Sequence, residues 1–208
     1  MTLNVQKFRD TPLTTDPFDF LTISDFVEKQ ALDGARASYP EVPGPGSHPS
    51  PGLKIEGAFS DLIEQLRGPE FQAAIEEKFN VDLTGRPTMY TVRGYCRERD
   101  GKIHPDSKTK IITVLLYMND DGWDSSGGRL RILRSATDLE DFVAEVEPKG
   151  GTLLVFKRAD HSWHGHHSFK GQRRAIQLNW VLDQGVVDHE QGRHGFSSKL
   201  KKLFGGKK

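Results

Sequence analysis

The sequence predicts an α+β fold, with helices gathered ahead of a long run of strands. Two patterns point to it. Before residue 80, apolar side chains recur every three to four positions, the spacing of a helix face packed on a core. After residue 86, β-branched and aromatic segments alternate and are broken by clusters of Gly, Asp, Asn and Ser. Helices followed by strands argue for helices stacked on an all-β half. That run of strands is long enough to close on itself as a small barrel.

Taken in order, Phe18, Phe20, Leu21 and Ile23 read as a short strand that ends at a cap on Ser24. Asp25 to Ser38 has helical spacing at Phe26, Val27, Leu32 and Ala35, and Pro40 closes it. Five of the eleven prolines fall between Pro40 and Pro51, a density that permits neither helix nor ladder, so this is a long loop. A second helix follows Ser60, with Leu62, Ile63 and Leu66 on one side. Past Gly68-Pro69 a third carries Phe71, Ile75 and Phe79, with Asn80 as its C-cap. The strand candidates are PTMYTVRGYC, TKIITVLLYMN, GGRLRIL, GGTLLVF and RRAIQLNWVL. Thr137–Val146 suits either a helix, on the capping pair Thr137 and Glu140, or a strand. The expected organisation is one structural domain: helical support with a first strand and the Pro-rich loop over 1–86, a barrel core over 87–188, and a basic tail over 189–208.

Composition narrows the function. The 208 residues carry 29 basic and 29 acidic side chains, a balance unlike that of a dedicated nucleic-acid binder. No apolar run approaches the ~18 residues of a membrane span. Met1 to Asp16 lacks the apolar stretch of a signal peptide. The lone cysteine, Cys96, has no internal partner and suits a reducing cytoplasm. It reads as an inert strand residue. The tail from His189 has six basic residues and one acidic, so the body before it is acidic by the same margin. A docked last helix is the expectation for this tail, and a basic amphipathic contact with an anionic surface is the alternative.

The chemistry lies in the histidines. His104 stands two residues before Asp106, so in extended chain both side chains share a face. Four more histidines sit in His161–His167, and among them His164 is 58 residues past Asp106. Two imidazoles and one carboxylate make a facial triad that leaves coordination sites open, a ligand set suited to non-haem Fe(II). Arg173 follows nine residues later. It shares one strand face with Ala175, Gln177 and Asn179, while Arg174 falls on the other with Ile176, Leu178 and Trp180. An inward arginine is costly unless an anion pairs with it. Metal at one end and guanidinium at the other ask for a dicarboxylate.

The segment Arg93–Val181 resembles the Fe(II)/2-oxoglutarate-dependent oxygenases, in their prolyl 4-hydroxylase-like branch. The resemblance runs through ordered landmarks: His104-Pro105-Asp106, Leu115–Trp123, Gly127–Ile132, Glu147–Phe156, Ser162-Trp163-His164-Gly165 and Arg173–Trp180. It implies a double-stranded β-helix, the jelly-roll or cupin-like barrel, with supporting N-terminal helices. It implies that His104, Asp106 and His164 hold Fe(II) and that Arg173 grips the far carboxylate of 2-oxoglutarate, with Arg174 the competing choice. Tyr117 and Tyr95 fall at further positions lining that pocket. The implied reaction consumes O2 and 2-oxoglutarate, releases succinate and CO2, and hydroxylates an organic substrate, a peptidyl proline or a small molecule, with ascorbate (vitamin C) as reductant. Asp106 favours hydroxylation, because halogenating relatives lack that carboxylate. The other readings are a cupin-like binding module without oxygenase activity and a zinc hydrolase on the same ligands. Neither of those needs Arg173.

Overall fold

The computed structural model describes residues 2–189; the basic tail lies outside them apart from its first residue. Helix α1 (Val5–Asp10) precedes strand β1 (Phe20–Ile23), and helix α2 (Lys29–Ala37) follows it. Then come a two-residue strand β2 (His48–Pro49) and a single 3-10 turn (Ser50–Gly52) inside the Pro-rich stretch, and helices α3 (Gly57–Leu66) and α4 (Pro69–Phe79). The strands after them are β3 (Thr88–Cys96), β4 (Lys110–Tyr117), β5 (Leu130–Leu133), β6 (Phe142–Val146), β7 (Leu153–Lys157), β8 (His164–Gly165) and β9 (Gly171–Val181).

Four details differ from the sequence reading, the first being that the Pro-rich stretch does hold a short ladder, His48–Pro49 against β3, and a 3-10 turn. The six-residue α1 is too short to show a periodic stripe, although Val5 and Phe8 are buried. Helix α2 starts at Lys29, not Asp25, because Asp25 takes a left-handed backbone (φ 52°) that ends the preceding strand. Thr137–Val146 resolves into a turn region and strand β6: Ser135 Oγ accepts from the backbone N–H groups of Thr137 and Asp138, and Asp138 from that of Glu140. Asn80 does cap α4, in the left-handed region.

The strands pair antiparallel into two sheets, β1-β7-β4-β9-β3-β2 and β6-β5-β8. This is the double-stranded β-helix, with its two sheets face to face and, among the described residues, not hydrogen-bonded into one closed ring. Alternation along each strand builds two cores. Ile112, Val114 and Leu116 of β4, Leu153 and Val155 of β7, and Ile176, Leu178 and Trp180 of β9 meet the helices through Leu62, Leu66, Phe71 and Ile75. The opposite parity, Tyr117, Leu154, Phe156 and Ala175, meets Leu130, Ile132 and Val146 of the small sheet. Strands β4 and β7 are covered on both faces, so they read as almost unbroken apolar runs. The helices therefore brace the outer face of the large sheet and leave its inner face for chemistry.

Candidate active site

Polar side chains interrupt the inner core in three cross-strand rows on β3, β9 and β4. Met89, Asn179 and Thr113 form the first, Thr91, Gln177 and Leu115 the second, and Arg93, Ala175 and Tyr117 the third. Residues opposed across antiparallel strands project to the same face, so each row is a set of neighbours.

At the Thr113 end lies the predicted triad. Ligand atoms of His104, Asp106 and His164 all stand within 4.8 Å of one another. Two backbone bonds of 3.1 Å, from His104 N–H to the His164 carbonyl and from His164 N–H to the His104 carbonyl, clasp the two segments together. The imidazole centroids are 4.5 Å apart. Each ring has Nδ1 against a backbone carbonyl, Lys102 at 2.8 Å for His104 and Ser162 at 2.9 Å for His164. A ring nitrogen so placed carries the proton, which leaves the Nε2 lone pair of each for a metal. Burial pulls His164 down to about 4 against the opposing pull of Asp106, so the ring is neutral near pH 7, as ligation requires.

Asp106 is buried, yet its carboxyl sits below the ordinary carboxylate range. Burial alone would raise it, but the Lys110 charge, then His164, then hydrogen bonds from Lys110 and Thr113 outweigh that effect. Lys110 Nζ donates to Oδ1 at 2.7 Å, Thr113 Oγ1 donates to Oδ2, and Asn179 Nδ2 in turn donates to Thr113 Oγ1 at 2.8 Å. Thr113 and Lys110 escaped the sequence reading. The signal for Thr113 was its shared parity with Tyr117 on β4. Lys110 had no such signal, since its contact depends on how the chain turns after Asp106. Two imidazoles and one carboxylate, with His104 on the exposed side, fit Fe(II).

At the other end Arg173 is 5 % exposed. Its Nε donates to the Gly128 carbonyl at 2.8 Å and its Nη2 to the Tyr117 hydroxyl at 3.1 Å. Among the described residues no carboxylate pairs with it. Arg174, the competing choice, points to the opposite face, where its guanidinium lies 5.1 Å from the Tyr39 ring centroid. Tyr95 stands apart from the cluster. The β3–β9 register shifts between Arg93 and Tyr95, which leaves the Tyr95 side chain 40 % exposed. Cys96 turns inward instead, with Sγ 4.0 Å from His166 Nε2. Burial pushes its thiol up, so it is protonated and unreactive. The other histidines of the cluster are not at the triad: His167 bonds Glu140 at 2.7 Å, His161 is exposed, and His166 packs beside Cys96.

A His-Asp-His cluster at one end of the inner wall of a double-stranded β-helix, with a buried arginine farther along it, is the arrangement expected of a non-haem iron oxygenase that uses a 2-oxo dicarboxylate. The comparisons agree. Residues 88–182 match the family model described as the 2OG-Fe(II) oxygenase superfamily. No curated protein matches by sequence. Among solved structures, the fold is similar to a prolyl-4-hydroxylase of Pseudomonas putida, at TM-score 0.52 and 18 % identity, over 85 % of this chain and 90 % of that one. It is similar to a prolyl 4-hydroxylase of Phytophthora capsici, at 0.57 and 13 %, over 92 % and 74 %. The viral collagen prolyl hydroxylase of Paramecium bursaria Chlorella virus-1, solved as its 2OG complex, matches at 0.50 and 15 %, over 78 % and 96 %. At these identities the likeness is one of fold. The chain is an Fe(II)- and 2-oxoglutarate-dependent dioxygenase.

Proposed function

We propose that His104, Asp106 and His164 hold the iron and that Arg173 and Tyr117 hold the far carboxylate of 2-oxoglutarate. The observation that carries this reading is the buried Arg173 guanidinium, bonded to Tyr117 and lacking a carboxylate partner among the described residues, on the same sheet face as the triad's Thr113 support. A carboxylate there satisfies the charge that the protein leaves unpaired. Iron bound by these three residues would supply the redox chemistry that couples the 2-oxo acid to O2. The chain's own groups then do the positioning. Lys110 and Thr113 fix the Asp106 carboxylate, the Lys102 and Ser162 carbonyls orient the two imidazoles, and Arg173 with Tyr117 sets the cosubstrate's length and direction. Phe18, Leu154 and Phe156 keep the inner core apolar. Overall, one oxygen atom of O2 enters a substrate C–H as hydroxyl and the other enters succinate as 2-oxoglutarate loses CO2.

A prolyl residue in a peptide is the first candidate substrate, supported by the fold shared with prolyl hydroxylases, and a small molecule is the second. The single cysteine suits a cytoplasmic, reducing setting, and ascorbate is the natural reductant to supply in vitro. No described helix is long and apolar enough to cross a membrane. The test incubates the protein with Fe(II), 2-oxoglutarate, ascorbate and proline-rich peptides or cell extract under air. Succinate should form, together with products heavier by one oxygen atom. Asp106→Ala should lose both iron binding and turnover; full activity in that variant would place the metal elsewhere.

A further inference from the structure

A second guanidinium shares the wall that holds Arg173. Arg93 pairs with Ala175 across β3 and β9, and Ala175 pairs with Tyr117 across β9 and β4. Arg93, Ala175 and Tyr117 therefore project together, and Arg173 lies two residues along β9 from Ala175 on that same face. Between the Arg93 and Tyr117 side chains stands only the Ala175 methyl, fully buried. The middle of the row is thus low, and its two sides are a cation and a hydroxyl.

Arg93 has no partner of its own. Among the described residues its guanidinium makes no hydrogen bond or ion pair, although it is partly buried. Asp100, whose charge is felt at Arg93, is held by Arg97 at 3.2 Å. By contrast, Arg131 is matched by Glu140 and Glu145, and Arg158 by Asp160. Burial and the neighbouring Arg173 charge pull the Arg93 guanidinium below its ordinary value, which marks the pair as mutually repelling when nothing lies between them. His166, the other titratable ring near them, is held neutral by burial and by the same two arginines. Two like charges kept unpaired in one wall are unfavourable unless an anion joins them.

We propose that Arg93 is a second carboxylate-binding residue, flanking with Arg173 the far carboxylate of 2-oxoglutarate, so that the pocket selects 2-oxo acids bearing a second carboxylate. This rests on the cosubstrate reading given above. One arginine with a tyrosine suffices to hold a carboxylate; the second makes the pocket discriminate by charge, because a ligand without that group leaves both cations unpaired.

The test is calorimetric titration of the full chain, loaded with Mn(II) in place of Fe(II), using 2-oxoglutarate and 2-oxobutyrate. The two ligands share the 2-oxo acid end, and only the first has a second carboxylate. Arg93→Gln should weaken 2-oxoglutarate at least about 30-fold, the cost of truncating one partner of a buried charge pair. It should leave 2-oxobutyrate unchanged. Arg93→Lys, which keeps the charge but not the forked donor, should fall between wild type and Arg93→Gln. If Arg93→Gln does not fold, Arg93→Lys carries the test alone, and wild-type affinity for 2-oxoglutarate in it overturns the proposal. Wild-type affinity in Arg93→Gln beside lost affinity in Arg173→Gln overturns this inference and leaves the cosubstrate reading standing. Wild-type protein that binds neither ligand overturns both.

Discussion

Replacing Thr113 by valine tests the site where sequence and structure meet. The two side chains have nearly the same volume, so the fully buried position keeps its packing and loses only a hydroxyl. That hydroxyl has two bonds: it donates to Asp106 Oδ2 and accepts from Asn179 Nδ2 at 2.8 Å. Losing a donor to a carboxylate costs about 1.5–3 kcal/mol, and leaving a buried amide without its acceptor costs about 1–3 kcal/mol. Because the two bonds share one network they do not add fully, and about 2–4 kcal/mol is expected. For a chain of this length that lowers the unfolding midpoint by roughly 5–15 °C. Asp106 keeps its bond from Lys110 but loses half of its support, so metal affinity should fall about 10–100-fold. Thermal unfolding with and without Mn(II), plus a metal titration, measures both quantities, and Thr113→Ser should restore most of each. Wild-type melting and wild-type metal affinity in Thr113→Val would show that Asp106 is positioned by something other than this network.

Other substitutions probe the remaining parts. Arg173→Gln should abolish measurable 2-oxoglutarate binding by calorimetry, whereas Arg174→Gln should keep it and lose only about 0.5–1 kcal/mol of stability with its contact to Tyr39. Tyr39→Phe removes a hydroxyl that donates to the Arg93 carbonyl at 2.6 Å and lies 3.3 Å from that of Ala175. It should cost about 0.5–1.5 kcal/mol in denaturant unfolding with metal affinity unchanged. Gly101→Ala should be damaging, because Gly101 has φ 91° and a Cβ there would lie 2.4 Å from the His166 ring. A melting point lowered by several degrees is expected; a neutral outcome would mean that the loop before His104 shifts freely.

Much of this enzyme was legible in the chain. The helical stripes at Leu62–Leu66 and Phe71–Phe79, the alternation along 173–180 and the pairing of His104 with Asp106 follow from local geometry, since periods of 3.6 and 2 assign side chains to faces without any partner. That parity separated Arg173 from Arg174 before any contact was known. The choice of His164 among its neighbours came from its phrase in the sequence, and the backbone clasp with His104 gives that choice its geometry.

What parity within a strand cannot give is the register between strands. Tyr95 was expected in the pocket, but a register shift between β3 and β9 leaves it largely solvent-facing and turns Cys96 inward. The bond from Asn179 to Thr113 and the row of Arg93, Ala175 and Tyr117 exist only because β3, β9 and β4 pair where they do. The sequence by itself determined most element types, the faces and the candidate metal ligands, because those depend on neighbours along the chain. Tertiary structure alone decided that Asn179 backs Thr113 and which cations share a wall, because those depend on pairings between residues far apart in the chain.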